Sequence, residues 1–364
     1  MYISIINDST MKTALTYDDI LLTPSFSKVK SRNDISLKTM VSRRYGLLNP
    51  FVASPMDTIC EVDMAYKMYL LGGVGCIHRF MTAEEQSNQV DELINLILGK
   101  DKFNYGIADI WMKEIGFNPI MAAIGVQEED KKRAWSLVKA GANILVIDVA
   151  HGHHENVINM VKWCKDTLPK GIDIIAGNIV TADAAMELES AGADGLRVGL
   201  GGGSLCTTRI QTGFGVPNVT ALEEIIAVAK TPVMADGGIR TSGDICKALA
   251  IGASSVMLGS LLAGTEETPG KIIQDHQSGA LYKRYRGSAS LETKITHNKE
   301  ERNVEGESTV VPFKGGVRFT IDGLVDGIKS GLSYNGASNL TEFHPTYVIV
   351  TNAGLQESKP HLMK

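Results

Sequence analysis

The 364-residue chain is short of aromatic side chains (6%), has no surplus of positive charge (36 Lys and Arg against 41 Asp and Glu, net −5) and holds only five cysteines. Each shortage excludes something. Without a basic surplus, a nucleic-acid partner is not expected, although a local basic pocket stays compatible. Cys60, Cys76, Cys164, Cys206 and Cys246 are odd in number and form no CxxC or finger spacing. That usage points to a reducing, cytoplasmic compartment rather than to a disulfide scaffold. No apolar run approaches the roughly 18 residues of a membrane span, and the opening MYISIINDST lacks the charged n-region of a signal peptide, so no membrane partner is expected. A GxGxxG dinucleotide fingerprint is also missing. What is present is 44% hydrophobic and 21% charged residues with 37 glycines, the profile of a globular protein.

The apolar residues fall into eight short runs: 50–56 (PFVASPM), 74–78 (VGCIH), 119–126 (PIMAAIGV), 144–148 (ILVID), 172–178 (IDIIAGN), 195–199 (GLRVG), 232–237 (PVMADG) and 255–260 (SVMLGS). Unbroken apolar runs suit strands buried on both faces, as in a parallel sheet. Amphipathic stretches at 83–98, 128–140, 156–167 and 182–191 lie between them. Eight such alternations predict an α/β fold of the (β/α)8 TIM barrel type, with its site on the rim where the strands end. The whole chain, 1–364, reads as that one domain. Residues 99–118 read as a modest irregular insertion, and the charged stretch 265–316 is too long for an ordinary connection, so a flap over the site is expected there. A tail, 343–364, carries a strand-like TYVIVT.

Chemistry concentrates at the predicted strand ends. The segment GLGGGSLCTTRIQTGFGVP, 199–217, packs six glycines around Cys206, beside Ser204, Thr207, Thr208 and Arg209. Such a loop brings backbone N–H groups close to an anion, and a cysteine in it can serve as a nucleophile once deprotonated; an inert cysteine in a tight turn is the plainer alternative. Asp236-Gly237-Gly238 and Gly259-Ser260 end the last two strands, the pair of loops that often binds phosphate in barrels. Asp236 could accept two hydroxyls. His151, His153 and His154 lack a further ligand at metal-site spacing, so a metal is not assigned to them. Asp148, at the preceding strand end, is the better candidate for a polar ligand, while His78-Arg79 reads as rim decoration or a cap.

Together GGGSLCTTRIQTGFGVP, MADGGIRTSGD, VMLGSLLAGTEETPG, LTYDDILLTPS, FVASPMDT and VPFKGGV resemble the family of inosine-5′-monophosphate (IMP) dehydrogenases and guanosine-5′-monophosphate (GMP) reductases over about residues 14 to 361. The resemblance implies that Cys206 attacks purine C2 to give a covalent nucleotide intermediate. It implies phosphate contacts at Ser204, Gly238, Gly259, Ser260 and Tyr285, a ribose contact at Asp236, and further substrate contacts at Ser54, Met56 and Ser288. Asp148, Asn178, Gly199 and Gly201 would line the nicotinamide side. Thr208 would work with the flap acid Glu305 in proton transfer, and Glu292 is a second catalytic carboxylate by a one-residue shift. A monovalent cation such as K+ would be held by Gly201, Gly203, Cys206, Glu357 and Ser358, in a homotetramer.

The two branches of that family divide on the flap. Dehydrogenases activate a water there with an Arg-Tyr pair, whereas between Gly287 and Glu305 this chain offers SASLETKITHNKEERNV, where the nearest match is Arg302-Asn303. GSAS and NVEG are reductase-like, and amine release needs only a Thr-Glu type of relay. The reading is therefore a GMP reductase using NADPH. Three features keep an NAD-dependent IMP dehydrogenase open: Leu291 where reductases carry glutamate, the phrase GGVGCIHRFMTAEEQ, and the tail AGLQESKPH. A non-catalytic nucleotide-binding barrel is the third alternative. In either branch, 99–118 is too short for the family's paired regulatory (CBS) modules.

Overall fold

The computed structural model describes residues 12–99, 107–296 and 304–357. Eight parallel strands close into one barrel: β1 Phe51–Ala53, β2 Val74–Ile77, β3 Met121–Ile124, β4 Ile144–Asp148, β5 Asp173–Ile179, β6 Gly195–Val198, β7 Val233–Asp236 and β8 Ser255–Leu258. Each pairs with the next in sequence, and β8 pairs back to β1 through Val256–Phe51 and Leu258–Ala53. The eight apolar runs are these eight strands. Their side chains are almost wholly buried, from Phe51, Val52 and Ala53 to Val256, Met257 and Leu258, because the barrel interior and the helical shell cover both faces.

Helices follow the strands with caps the sequence supplies. Thr82 and Glu85 form a reciprocal capping box at the start of Ala83–Leu98, and Thr181 and Thr241 cap Ala182–Ser190 and Ser242–Ile251. His154 is another cap: its Nδ1 accepts from the Asn156 amide at 3.1 Å. His153 lies 3.2 Å from Glu187, and among the described residues no cluster of three or more His, Cys, Asp or Glu could hold a metal ion.

The insertion at 99–118 differs from its expected irregularity, since Ile107–Glu114 is helical. Ile107, Trp111 and Ile115 recur at intervals of four and pack on the core, a short helical pattern. Trp111 is fully buried, stacks on Tyr69 with ring centroids 5.3 Å apart, and donates from Nε1 to the Tyr69 carbonyl at 3.1 Å.

Two further pieces position the rim. Within 265–316, strands β9 Ile273–Gln274, β10 Leu281–Arg286 and β11 Ser308–Pro312 form an antiparallel sheet. It is pinned by Lys283, only 2% exposed, whose ammonium donates to the carbonyls of Thr265 (3.2 Å), Glu266 (3.1 Å) and Thr268. Burial lowers its pKa, against Glu267 and Glu266, which raise it. The strand-like tail is Tyr347–Ile349, and it pairs antiparallel with Ile20–Leu22. Among the described residues no helix is long and apolar enough to cross a membrane.

Trp111→Ala removes a large buried ring and a hydrogen bond. Urea unfolding should show a loss of about 3–5 kcal/mol; a loss below about 1 kcal/mol would mean that the insertion helix does not stabilise the barrel.

Candidate active site

A cavity of about 410 Å³ opens at the C-terminal rim of the barrel. Ser54 and Met56 from the loop after β1, Asp148, Asn178, Asp236 and the glycine loop 199–206 all line it, together with Gly238, Gly259, Ser260, Tyr285, Ser288 and Glu305. Residues from at least six strand ends and from the 265–316 stretch thus converge on one space.

The glycine loop leaves β6 at Gly199, whose φ is +146° and whose added Cβ would fall 1.9 Å from the Asp236 carbonyl oxygen. Only glycine fits that crossing, which lets the loop fold over β7 and present Cys206. Cys206 is half-buried, whereas the other four cysteines are buried. Burial holds the thiols of Cys60 and Cys76 well above the ordinary range and pushes those of Cys164 and Cys246 up to about 12. One thiol in five is therefore presented for chemistry.

The Cys206 Sγ lies 3.1 Å from the Thr208 Oγ1, and that hydroxyl donates to the Glu305 carboxylate at 2.6 Å. Because the single hydroxyl proton faces Glu305, the Thr208 oxygen turns a lone pair to sulfur and accepts from the thiol. The three groups form a continuous path along which a proton can leave sulfur for the carboxylate. Backbone bonds fix it from both sides: the Thr207 amide donates to the Glu305 carbonyl at 3.0 Å, and the Glu307 amide to Leu205 at 2.9 Å.

Two residues before Cys206 in the same loop, Ser204 Oγ lies 3.0 Å from Tyr285 Oη. Burial raises the Tyr285 pKa, the Ser204 hydrogen bond lowers it and Asp236 raises it, so the phenol stays a neutral donor beside Gly238, Gly259 and Ser260. Glycines at 238 and 259 keep backbone N–H groups open to an anion.

Two arginines complete the site: Arg197, which sequence reasoning missed, and Arg79, which it read as rim decoration or a cap. Arg197, within β6, is 7% exposed. Its Nε and Nη2 each lie 3.0 Å from Asp236 Oδ2, and its Nη1 lies 2.6 Å from Asp148 Oδ1. Burial opposes its charge, but Asp236 and Asp148 carry its pKa above the usual arginine value. A charged residue inside GLRVG, otherwise an apolar strand, was the available signal. Arg79 also lines the cavity; its Nη2 donates to the Asp148 carbonyl at 2.8 Å. Its guanidinium sits 5.4 Å from the Phe80 ring centroid. His78 Nδ1 accepts from the Phe80 amide at 3.0 Å and Nε2 lies 3.1 Å from Glu61, fixing the turn that aims Arg79 inward.

Two carboxylates lie elsewhere. Glu292 does not line the cavity; it pairs with Arg284 and Arg286, whose side chain also holds Asp57. Glu357 ends the short helix Asn352–Glu357 and does not line the cavity; the resemblance has it reach a cation of a neighbouring subunit, not the Gly201, Gly203 and Cys206 of its own chain. Ser358 and the Arg302-Asn303 pair lie outside the described residues.

A closed (β/α)8 barrel with a cysteine-bearing glycine loop and a carboxylate from the 265–316 segment at one rim cavity defines a class of rim-site enzymes, and comparison with known proteins gives the family. Residues 14–361 match the IMP dehydrogenase / GMP reductase domain. The chain is 40% identical to an inosine-5′-monophosphate dehydrogenase of Cryptosporidium parvum, over 95% of this chain and 94% of that one. It is 33% identical to a GMP reductase of Leishmania donovani, over 97% of both. A crystal structure of a cysteine-to-alanine GMP reductase from Trypanosoma brucei in complex with guanosine 5′-monophosphate superposes with a TM-score of 0.87 at 32% identity, covering 99% of this chain and all of that one. The chain belongs to the IMP dehydrogenase / GMP reductase family, whose members are oxidoreductases of purine nucleotides.

At neutral pH, brief treatment with iodoacetamide should modify Cys206 ahead of the other four cysteines, and mass spectrometry of tryptic peptides reads this directly. Equal labelling of Cys60, Cys76, Cys164 or Cys246 would contradict their burial.

Proposed function

We propose that the protein is a GMP reductase, converting GMP and NADPH to IMP, ammonia and NADP. The observation that carries this reading is the Cys206–Thr208–Glu305 hydrogen-bond path. It is a relay suited to protonating a departing amine, and the flap sequence that supplies Glu305 has no Arg-Tyr pair after Gly287 for activating water. The likeness to a GMP reductase solved with GMP supports the same substrate. The relatives themselves include both branches, so the weight rests on the relay.

The nucleotide would lie with its phosphate at Ser204, Tyr285, Gly238, Gly259 and Ser260, and its ribose hydroxyls at Asp236. That carboxylate suits the role: Oδ2 takes its intramolecular donors, while Oδ1 has no hydrogen-bond partner among the described residues. Cys206 then faces purine C2. Its thiol proton passes through Thr208 to Glu305, and the thiolate adds to C2. The C2 amino group leaves as ammonia, taking its proton back along the same path. After reduction at C2 the S–C2 bond breaks and frees the cysteine.

The nicotinamide side also fits its ligand. Arg79 Nε is buried with no hydrogen-bond partner, 3.6 Å from Asp148 Oδ2, an orphaned donor for a polar group of a bound dinucleotide. Asp148, Asn178, Gly199 and Gly201 would hold that ligand, which supplies a hydride when bound. Potassium at the 201–206 loop, assembly as a homotetramer and a cytoplasmic location belong to the same proposal. Ile210 and Phe214, 82% and 74% exposed beside the cysteine loop, leave an apolar face for a neighbouring subunit. Light scattering at the mass of a monomer would remove the tetramer.

Two assays at the nicotinamide absorbance band test the reaction: loss of NADPH with GMP is expected, and no formation of NADH from IMP and NAD. The reverse pattern makes the protein a dehydrogenase, and silence in both makes it a binder. Cys206→Ala should lower turnover at least 10⁴-fold, on the scale of losing a covalent nucleophile, with GMP still bound by calorimetry. Thr208→Ala and Glu305→Gln should slow ammonia release more than nucleotide reduction in single-turnover mixing. Equal losses in the two steps would remove them from the relay.

A further inference from the structure

Arg197 holds both halves of the cavity at once. It stands on β6 at the level where Asp148 pairs with Gly177 and Gly177 with Arg197 across the sheet. Gly177 makes the placement possible, because a Cβ there would lie 2.5 Å from the Arg197 carbonyl oxygen and 2.7 Å from its Cβ. One edge of the planar guanidinium meets Asp236, on the nucleotide side; Nη1 meets Asp148, on the dinucleotide side. Asn178 bridges the same two regions, donating to Asp236 Oδ2 at 2.7 Å and to the Gly199 carbonyl at 2.8 Å.

We propose that Arg197 couples the two ligand sites, so that purine nucleotide and nicotinamide dinucleotide bind more tightly together than alone. The inference rests on the reading that both share this cavity, but not on which branch of the family is right. A hydroxyl donated to Asp236 Oδ1 requires that carboxylate to stay where Arg197 holds it, and a ligand at Asp148 and Arg79 requires the same of the other carboxylate. Each ligand, by fixing its own carboxylate, keeps the buried guanidinium bridge in place for the other. The second ligand then meets a site already ordered. Arg197 is thus a positioning residue that works through Asp236 and Asp148, and by linkage the effect must be equal in both directions.

The test uses the Cys206→Ala protein, in which turnover does not obscure binding. Calorimetry measures GMP alone, NADPH alone, and each in the presence of the other, then repeats the square with IMP and NAD. The expected result is about tenfold mutual tightening, within the usual range of coupling. Adding Arg197→Lys, whose compact ammonium lacks the planar fork that meets Asp236 and Asp148 from different edges, should bring the factor to within about twofold of unity while both binary complexes still form. A merely structural role would weaken the binary complexes and leave the factor intact. If the lysine variant does not fold by circular dichroism, Arg197→Gln, a neutral amide too short to reach both carboxylates, takes its place with the same expectation. A factor of one or less in the parent, or one unchanged in the variants, overturns the proposal. Binding and coupling seen only with IMP and NAD would overturn the reductase reading and keep this one. Binding of neither pair would overturn both.

Discussion

A positive charge buried beneath the barrel mouth requires two negative ones, and the site is arranged around meeting that demand. Stripped of Asp148 and Asp236, the guanidinium of Arg197 would face a desolvation cost of several kcal/mol, and either carboxylate left alone would face a similar one. The three side chains come from β4, β6 and β7, so three strands must keep their register for the charges to meet. Barrel closure supplies that register. In turn, the charges make the rim intolerant of slippage, since a shift of one residue would turn each side chain to the opposite face.

Cys206 sits apart from this network. It is reached by a loop that crosses β7 where Gly199 alone permits the approach, and its hydrogen-bond path through Thr208 runs to Glu305 of the 265–316 segment. That path therefore spans the barrel loop and the segment. The two are joined by backbone hydrogen bonds between 205–207 and 305–307, the bond from Lys283 to the carbonyls after β8, and the Arg286–Asp57 pair. Whatever loosens the 265–316 segment separates Glu305 from Thr208 and breaks the hydrogen-bond path to Cys206.

Much of this was legible in the sequence. Strands buried on both faces write themselves as unbroken apolar runs, so the eight strands and the barrel could be read directly, as could the convergence of 204, 206, 236, 238, 259 and 260 on one rim. Arg197 was not legible, because a charge inside an apolar run has meaning only when its partners are known, and they lie on other strands. Arg79 could be read only as rim decoration or a cap, because its partner Asp148 lies most of two β–α units away. The helix Ile107–Glu114 carries a 107–111–115 pattern, but exposed Ile110 and Met112 beside Trp111 blur it. Glu292 shows the converse: proximity in sequence to a family position says nothing of direction, and its carboxylate turns toward Arg284 and Arg286.

The pairing of Ile20–Leu22 with Tyr347–Ile349 bears on how the protein would tolerate shortening. Among the described residues it is the most non-local strand contact, and the entropy of closing a loop grows with its length. A chain truncated before Tyr347 would keep its barrel sequence and its cysteine loop, yet leave the edge of Ile20–Leu22 unpaired, an open row of backbone N–H and C=O groups on which another chain can pair.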